Sequence, residues 1–125
     1  MKDSTAHLHI ICEDFKRTLD FYKSEIPFFK KRLEEIATKN TGEDILKQVE
    51  HFENTFIAMN ENLDVLLHDV NLKQDALLKE AKAKPEFINC KVNATADELK
   101  TLIDFTAKEF ATTKGKFYRF LSDHL

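Results

Sequence analysis

The residues with the widest chemical reach in this chain are its five histidines. In a helical bundle, imidazoles and carboxylates hold a metal when their spacing puts them on facing helix surfaces. A di-iron carboxylate bundle needs Glu-x-x-His on two helices and one further Glu from each of two others. Three residues before His51 stands Gln48, before His68 Val65, and before His124 Leu121, so that motif does not occur. His7 and His9, two apart, point to different sides of a helix and are expected in solvent. One spatial pairing follows from chain order. Counting across the turns brings His124 near residue 54, within a turn of His51 and level with Glu34 or Glu35. Two imidazoles and a carboxylate could hold zinc. Against this stand a fraying terminus and rings that face water. No metal ligand, cofactor site or catalytic residue is assigned.

The remaining reactive groups read the same way. His68 sits beside Leu67 at the edge of an apolar stripe, roughly level with Asp14. The surrounding Leu67-His68-Asp69-Val70-Asn71 lacks the small and basic neighbours that would cradle a phosphoryl group. Cys12 falls on an apolar stripe, where burial raises a thiol's pKa and quenches its reactivity. Cys90 is read as lying in a loop with no histidine placed beside it. Basic residues gather at 30–32, 79–84 and 114–119. The last two groups sit near expected helix C-termini, where the dipole favours them, and the first is matched by Glu34 and Glu35 a turn on. With a net charge of -3, no nucleic-acid partner is expected. No nucleophile–base pair or paired carboxylates emerge, so the chain is read as a non-enzyme.

The elements that must position these groups are easier to read. With two Gly and two Pro in 125 residues, there is room for few turns, which favours long helices. Ile45, Val49, Phe52, Phe56, Met59, Leu63, Leu66 and Val70 alternate by four and three, and Leu77 and Ala81 rejoin them after a polar slot at Lys73. That is the heptad seam of a helix packed along its length. A first seam reads Leu8, Cys12, Phe15, Leu19, Tyr22, Ile26, Phe29, Leu33, Ile36, with Phe21 and Phe28 just outside it. The register passes Pro27 without a slip, which predicts a bent but continuous helix. A third seam reads Leu99, Ile103, Thr106, Phe110, Thr113, Phe117 and Phe120/Leu121.

The expected fold is therefore all-α: one domain over 1–125, an elongated, antiparallel, up-down-up three-helix bundle with coiled-coil-like heptad packing. Its helices span about 5–40, 42–84 and 95–124. Asp3, Ser4 or Thr5 would cap the first helix. Asn40-Thr41-Gly42 would end it in a left-handed turn, with Thr41 capping the second. Pro85 would stop the second helix. Residues 85–94 would form a loop folded back over the bundle end through Phe87, Ile88 and Val92. Thr95-Ala96-Asp97-Glu98 has the form of a capping box opening the third helix. Pairing about residue 41 sets Phe29 beside Phe52 and Ile26 beside Phe56, with Phe117 and Phe120 at the same level. A third helix of roughly 45 Å at ~1.5 Å per residue would leave Val70, Leu72, Leu77 and Leu78 as an exposed association stripe.

Three stretches, Asp20–Glu35 (DFYKSEIPFFKKRLEE), Gln48–Asn54 (QVEHFEN) and Phe117–Leu121 (FYRFL), resemble small uncharacterised helical proteins of Bacteroidetes. The resemblance implies a helical fold and carries no activity. No apolar run approaches the length of a membrane span, and Leu8–Cys12 is too short for a signal h-region, so a cytoplasmic location is expected. The function expected is an interaction or scaffold module, with a protein partner or self-association as a homodimer. The alternative is a ligand- or metal-binding bundle.

Overall fold

The computed structural model describes residues 4–83 and 88–125, the side chains of Ser4 and of residues 88–90 excepted. Within these, the chain forms three helices: α1 (Ser4–Lys39), α2 (Glu43–Ala83) and α3 (Ile88–His124). Asp3, Pro85 and Phe87, and the side chains of Ser4, Ile88 and Cys90, on which the expected first cap, helix stop, folded-back loop and loop thiol rested, lie outside the described residues. All of the first seam except Tyr22 is fully buried, and Tyr22 packs against it. On α2, Val49, Phe56, Leu63, Val70 and Leu77 are buried at every seventh residue, as a helix with a 3.5-residue apolar repeat requires. Cross-helix pairs fix the directions. Lys16 meets Asn71 and Gln74, and Lys23 meets Asp64, so α1 and α2 run antiparallel. Tyr22 meets Phe110, Glu25 meets Lys114 and Phe29 meets Phe117, which makes α1 and α3 parallel.

Pro27 sits inside an unbroken α1. Ile26 and Phe29, on either side of it, remain in the core. The turn after α1 differs from expectation. Among the described residues none has a left-handed backbone. The Asn40 amide instead donates to the Ile36 carbonyl at 2.8 Å, meeting one of the orphan acceptors at the helix end. Gly42, not Thr41, occupies the cap position of α2, because its carbonyl accepts the first helical bond, from Leu46 N at 3.1 Å. Glu43 and Asp44 then fill the first turn, where negative charge is favoured.

The third helix begins at residue 88, seven residues before the expected capping box. Thr95–Glu98 lies inside α3. Residues 88–94 are helical rather than loop because the seam extends back through them: Val92 and Ala96 are buried and continue the four-three alternation into Leu99. At about 55 Å (37 residues at ~1.5 Å each), α3 covers the far end of α2. Val70 and Leu77, expected on an exposed stripe, are consequently core, and only Leu72 and Leu78 remain exposed. Val92→Ala is expected to cost about 1.5 kcal/mol, two methylene equivalents of buried surface, read by chemical denaturation. A loop residue would give almost nothing.

At the end beside residues 40–42 the core is aromatic. Phe117 meets Phe29, Phe52 and Phe56 at ring-centroid distances of 5.1, 5.5 and 5.0 Å, and Phe52 meets Phe120 at 5.2 Å. Phe29, expected beside Phe52, contacts Phe56 instead, at 5.2 Å. Side chains lean toward the N-terminus of their own helix, so in an antiparallel pair the ring of Phe29 leans away from the turn and that of Phe56 leans toward it. Backbone counting alone misses this by one helical turn. Farther along, Tyr22 stacks on Phe110 at 4.0 Å with the planes 15° apart.

Candidate functional site: a groove between the second and third helices

Helices α2 and α3 are clamped at both ends and open in the middle. Phe52 and Phe56 on Phe117 and Phe120 close one end. The ion pairs Lys73–Glu98 (3.7 Å) and Glu80–Lys91 (2.7 Å) tie the other. Between them runs a groove of about 470 Å³. Its cause is local: two seam positions of α3 facing α2 hold Thr106 and Thr113, too small to fill the space opposite Met59, Leu63 and Leu66. The Thr106 hydroxyl is turned back onto its own helix, donating to Leu102 O at 2.7 Å, so it presents a methyl to the groove. Val65 and Phe105, 56% and 60% exposed, stand on the rim. Glu109 is the sole charged residue in the lining.

A second hollow, of about 550 Å³, lies on the α1–α3 edge between Phe28, Arg32, Tyr118 and Leu125. Here the Glu25 carboxylate accepts from Lys114 Nζ at 3.0 Å, and the ammonium stands 5.4 Å from the centre of the Tyr118 ring. The hydrogen bond to Glu25 raises the Lys114 pKa above its ordinary value. A raised folded-state pKa means the contribution is complete at neutral pH and is lost as pH rises through the alkaline range. Glu25→Gln is expected to bring the Lys114 titration back down, followed by NMR of its side-chain protons. The cost is at most about 1 kcal/mol, since both groups keep contact with water.

A polar cluster joins α1 to α2 near Cys12. Gln74, only 7% exposed, accepts from Lys16 Nζ at 3.0 Å, and its Nε2 lies 2.9 Å from His9 Nδ1. Lys16 also donates to Asn71 at 3.0 Å and pairs with Glu13 at 2.6 Å. That bond to Lys16 lowers the Glu13 pKa, while burial raises that of the Cys12 thiol. Among the described residues no buried side-chain polar atom lacks a partner. The polar slot of α2 is therefore Gln74, which faces α1. Lys73, expected there, points outward to Glu98. His9, expected in open water, is exposed but tethered to Gln74.

The histidines do not assemble a metal centre: among the described residues no three His, Cys, Asp or Glu side chains are placed to hold an ion. His51 and His124 do reach the same end of the bundle. Each ring packs on its own helix, against Phe52 at 5.7 Å and Phe120 at 4.8 Å. His7 and His68 are exposed. Cys12 is a free, buried thiol. Among the described residues no helix is long and apolar enough to cross a membrane. The groove went unforeseen: its trace in the sequence, two threonines one heptad apart on the third seam, marks a gap only when set against the residues opposite. No protein-family model, curated protein or solved structure matches the chain.

Proposed function

We propose that this protein is a non-enzymatic, cytoplasmic interaction module whose α2–α3 groove receives an apolar helical segment of a protein partner. The observation that supports it is the groove itself, walled by two long helices and rimmed by exposed Val65 and Phe105. An apolar trough between two helices is the shape that takes the apolar face of a third helix. The heptad repeat of both walls suits coiled-coil-like knobs-into-holes docking. A free buried thiol such as Cys12 accords with a reducing compartment.

A photo-crosslinking residue at position 65, in the native cytoplasm, tests this. The expected product joins the groove to a protein segment and disappears when Ala58→Arg fills the trough. If position 65 captures no more protein than the exposed position 20, the reading falls. A second reading is supported by the size and apolar lining of the same groove, which lie within the range of small-molecule sites. In that case native mass spectrometry of the purified protein shows a bound mass that Ala58→Arg removes.

A further inference from the structure

We propose that His9, Gln74 and Lys16 form a proton-operated latch: the neutral His9 ring ties the start of α1 to α2, and protonation of the ring releases it. The device stands apart from the α2–α3 groove and is independent of what that groove binds.

The latch follows from counting donors. The Lys16 ammonium has three N–H groups and no acceptor. All three have partners: Glu13 Oε2 at 2.6 Å, Asn71 Oδ1 at 3.0 Å and Gln74 Oε1 at 3.0 Å. Gln74 must therefore show Lys16 its oxygen, because turning the amide over would set an NH2 group against the ammonium. Its nitrogen is then the atom 2.9 Å from His9 Nδ1. An amide nitrogen only donates, so Nδ1 accepts and the neutral ring carries its proton on Nε2. A lysine of α1 thus sets the tautomer of a histidine through an amide of α2.

A second proton on the ring reverses this contact. Nδ1 becomes a donor aimed at a donor, and Gln74 cannot turn over while Lys16 holds its oxygen. The bond is complete while the ring is neutral and is lost as pH falls through the His9 titration. The neighbouring groups keep their charge meanwhile. On α1, Lys16 lowers the pKa of Glu13, which stays ionised, and burial raises that of Cys12, which stays a thiol. On α2 the contact is the Gln74 amide; Lys73 is turned away to Glu98 of α3, and Asp75, Lys79 and Lys82 are exposed. Among the described residues no bond or ion pair joins His9 to α3. Glu13, one turn after His9 on the same side of α1, then draws the imidazolium away from α2. The first turns of α1 are left with their apolar contacts through Leu8 and Cys12.

NMR of the wild-type chain from about pH 8 to about pH 5, the range in which histidine changes charge, tests this. At the upper end the His9 nitrogens are expected to show the Nε2–H tautomer, with through-space contacts from the ring to the Gln74 side-chain amide. Those contacts are expected to vanish with the His9 titration, and amide protection factors at Leu8–Cys12 to fall several-fold with them. Lys16→Met frees the amide to turn over, so in that variant the contacts persist through the titration and protection stays level. Lys16→Leu replaces it if circular dichroism shows the first variant unfolded. A wild-type ring protonated on Nδ1 at the upper end, contacts that survive protonation, or unchanged protection overturns the inference. So does a lysine variant that loses the contacts as the wild type does.

Discussion

Phe117→Ala is expected to lower the unfolding free energy by about 3–5 kcal/mol, the range for truncating a large buried aromatic. Phe117 is completely buried and its ring sits within 5.0–5.5 Å of Phe29, Phe52 and Phe56. It is the place where all three helices meet through aromatic side chains. Its loss removes the transfer energy of the ring and leaves a cavity whose walls are themselves rings, poor at collapsing inward. Edge-on packing, 88° against Phe56, adds a further contribution that alanine forfeits. Against a total of roughly 5–15 kcal/mol for a domain of ordinary stability, such a loss is about a fifth or more of the whole. Urea denaturation should show the midpoint fall with an unchanged slope. A loss near ~1 kcal/mol, the size of an ordinary surface-to-boundary change, would mean that the three helices do not converge on this ring.

The second large effect runs the other way. Pro27→Ala is expected to raise stability by about 2 kcal/mol. A proline inside a helix has no N–H to offer the carbonyl four residues back, here Lys23, and costs about 3 kcal/mol relative to alanine. Part of that is returned by the stiffness proline gives the unfolded chain, up to about 1 kcal/mol. Pro27 is exposed, so alanine disturbs no core contact. Thermal and urea denaturation followed by circular dichroism measure the gain. If stability falls instead, the local bend at Pro27 is what seats Ile26 and Phe29 in the core.

Helix number, order and direction were legible because apolar spacing reports directly on which side of a helix is dry. The α1 seam appears in the structure almost residue for residue, and the passage of that seam through Pro27 was readable for the same reason. The start of α3 was misread because Thr95 and Glu98 satisfy the letter of a capping motif. Such a motif states what a helix could begin with, and buried Val92 and Ala96 reward continuing it backward. Gln74 was overlooked because a stripe read by hydrophobicity skips a buried amide that finds partners on another helix. Those partners, His9 and Lys16, lie 65 and 58 residues away. The groove is harder still. It is a deficit of volume between two helices, and single residues such as Thr106 and Thr113 show it only once their opposite numbers are known.

The stacked Tyr22–Phe110 pair makes the molecule its own spectroscopic gauge. The chain has no tryptophan and two tyrosines, and Tyr118 is solvent-facing. The tyrosine band of the near-ultraviolet dichroism, which lies to longer wavelength than the bands of the eleven phenylalanines, should therefore come chiefly from Tyr22, stacked on Phe110 between α1 and α3. Were α3 to peel from α1 while every helix stayed wound, that band would vanish before the far-ultraviolet signal moved, and detachment could be timed separately from melting.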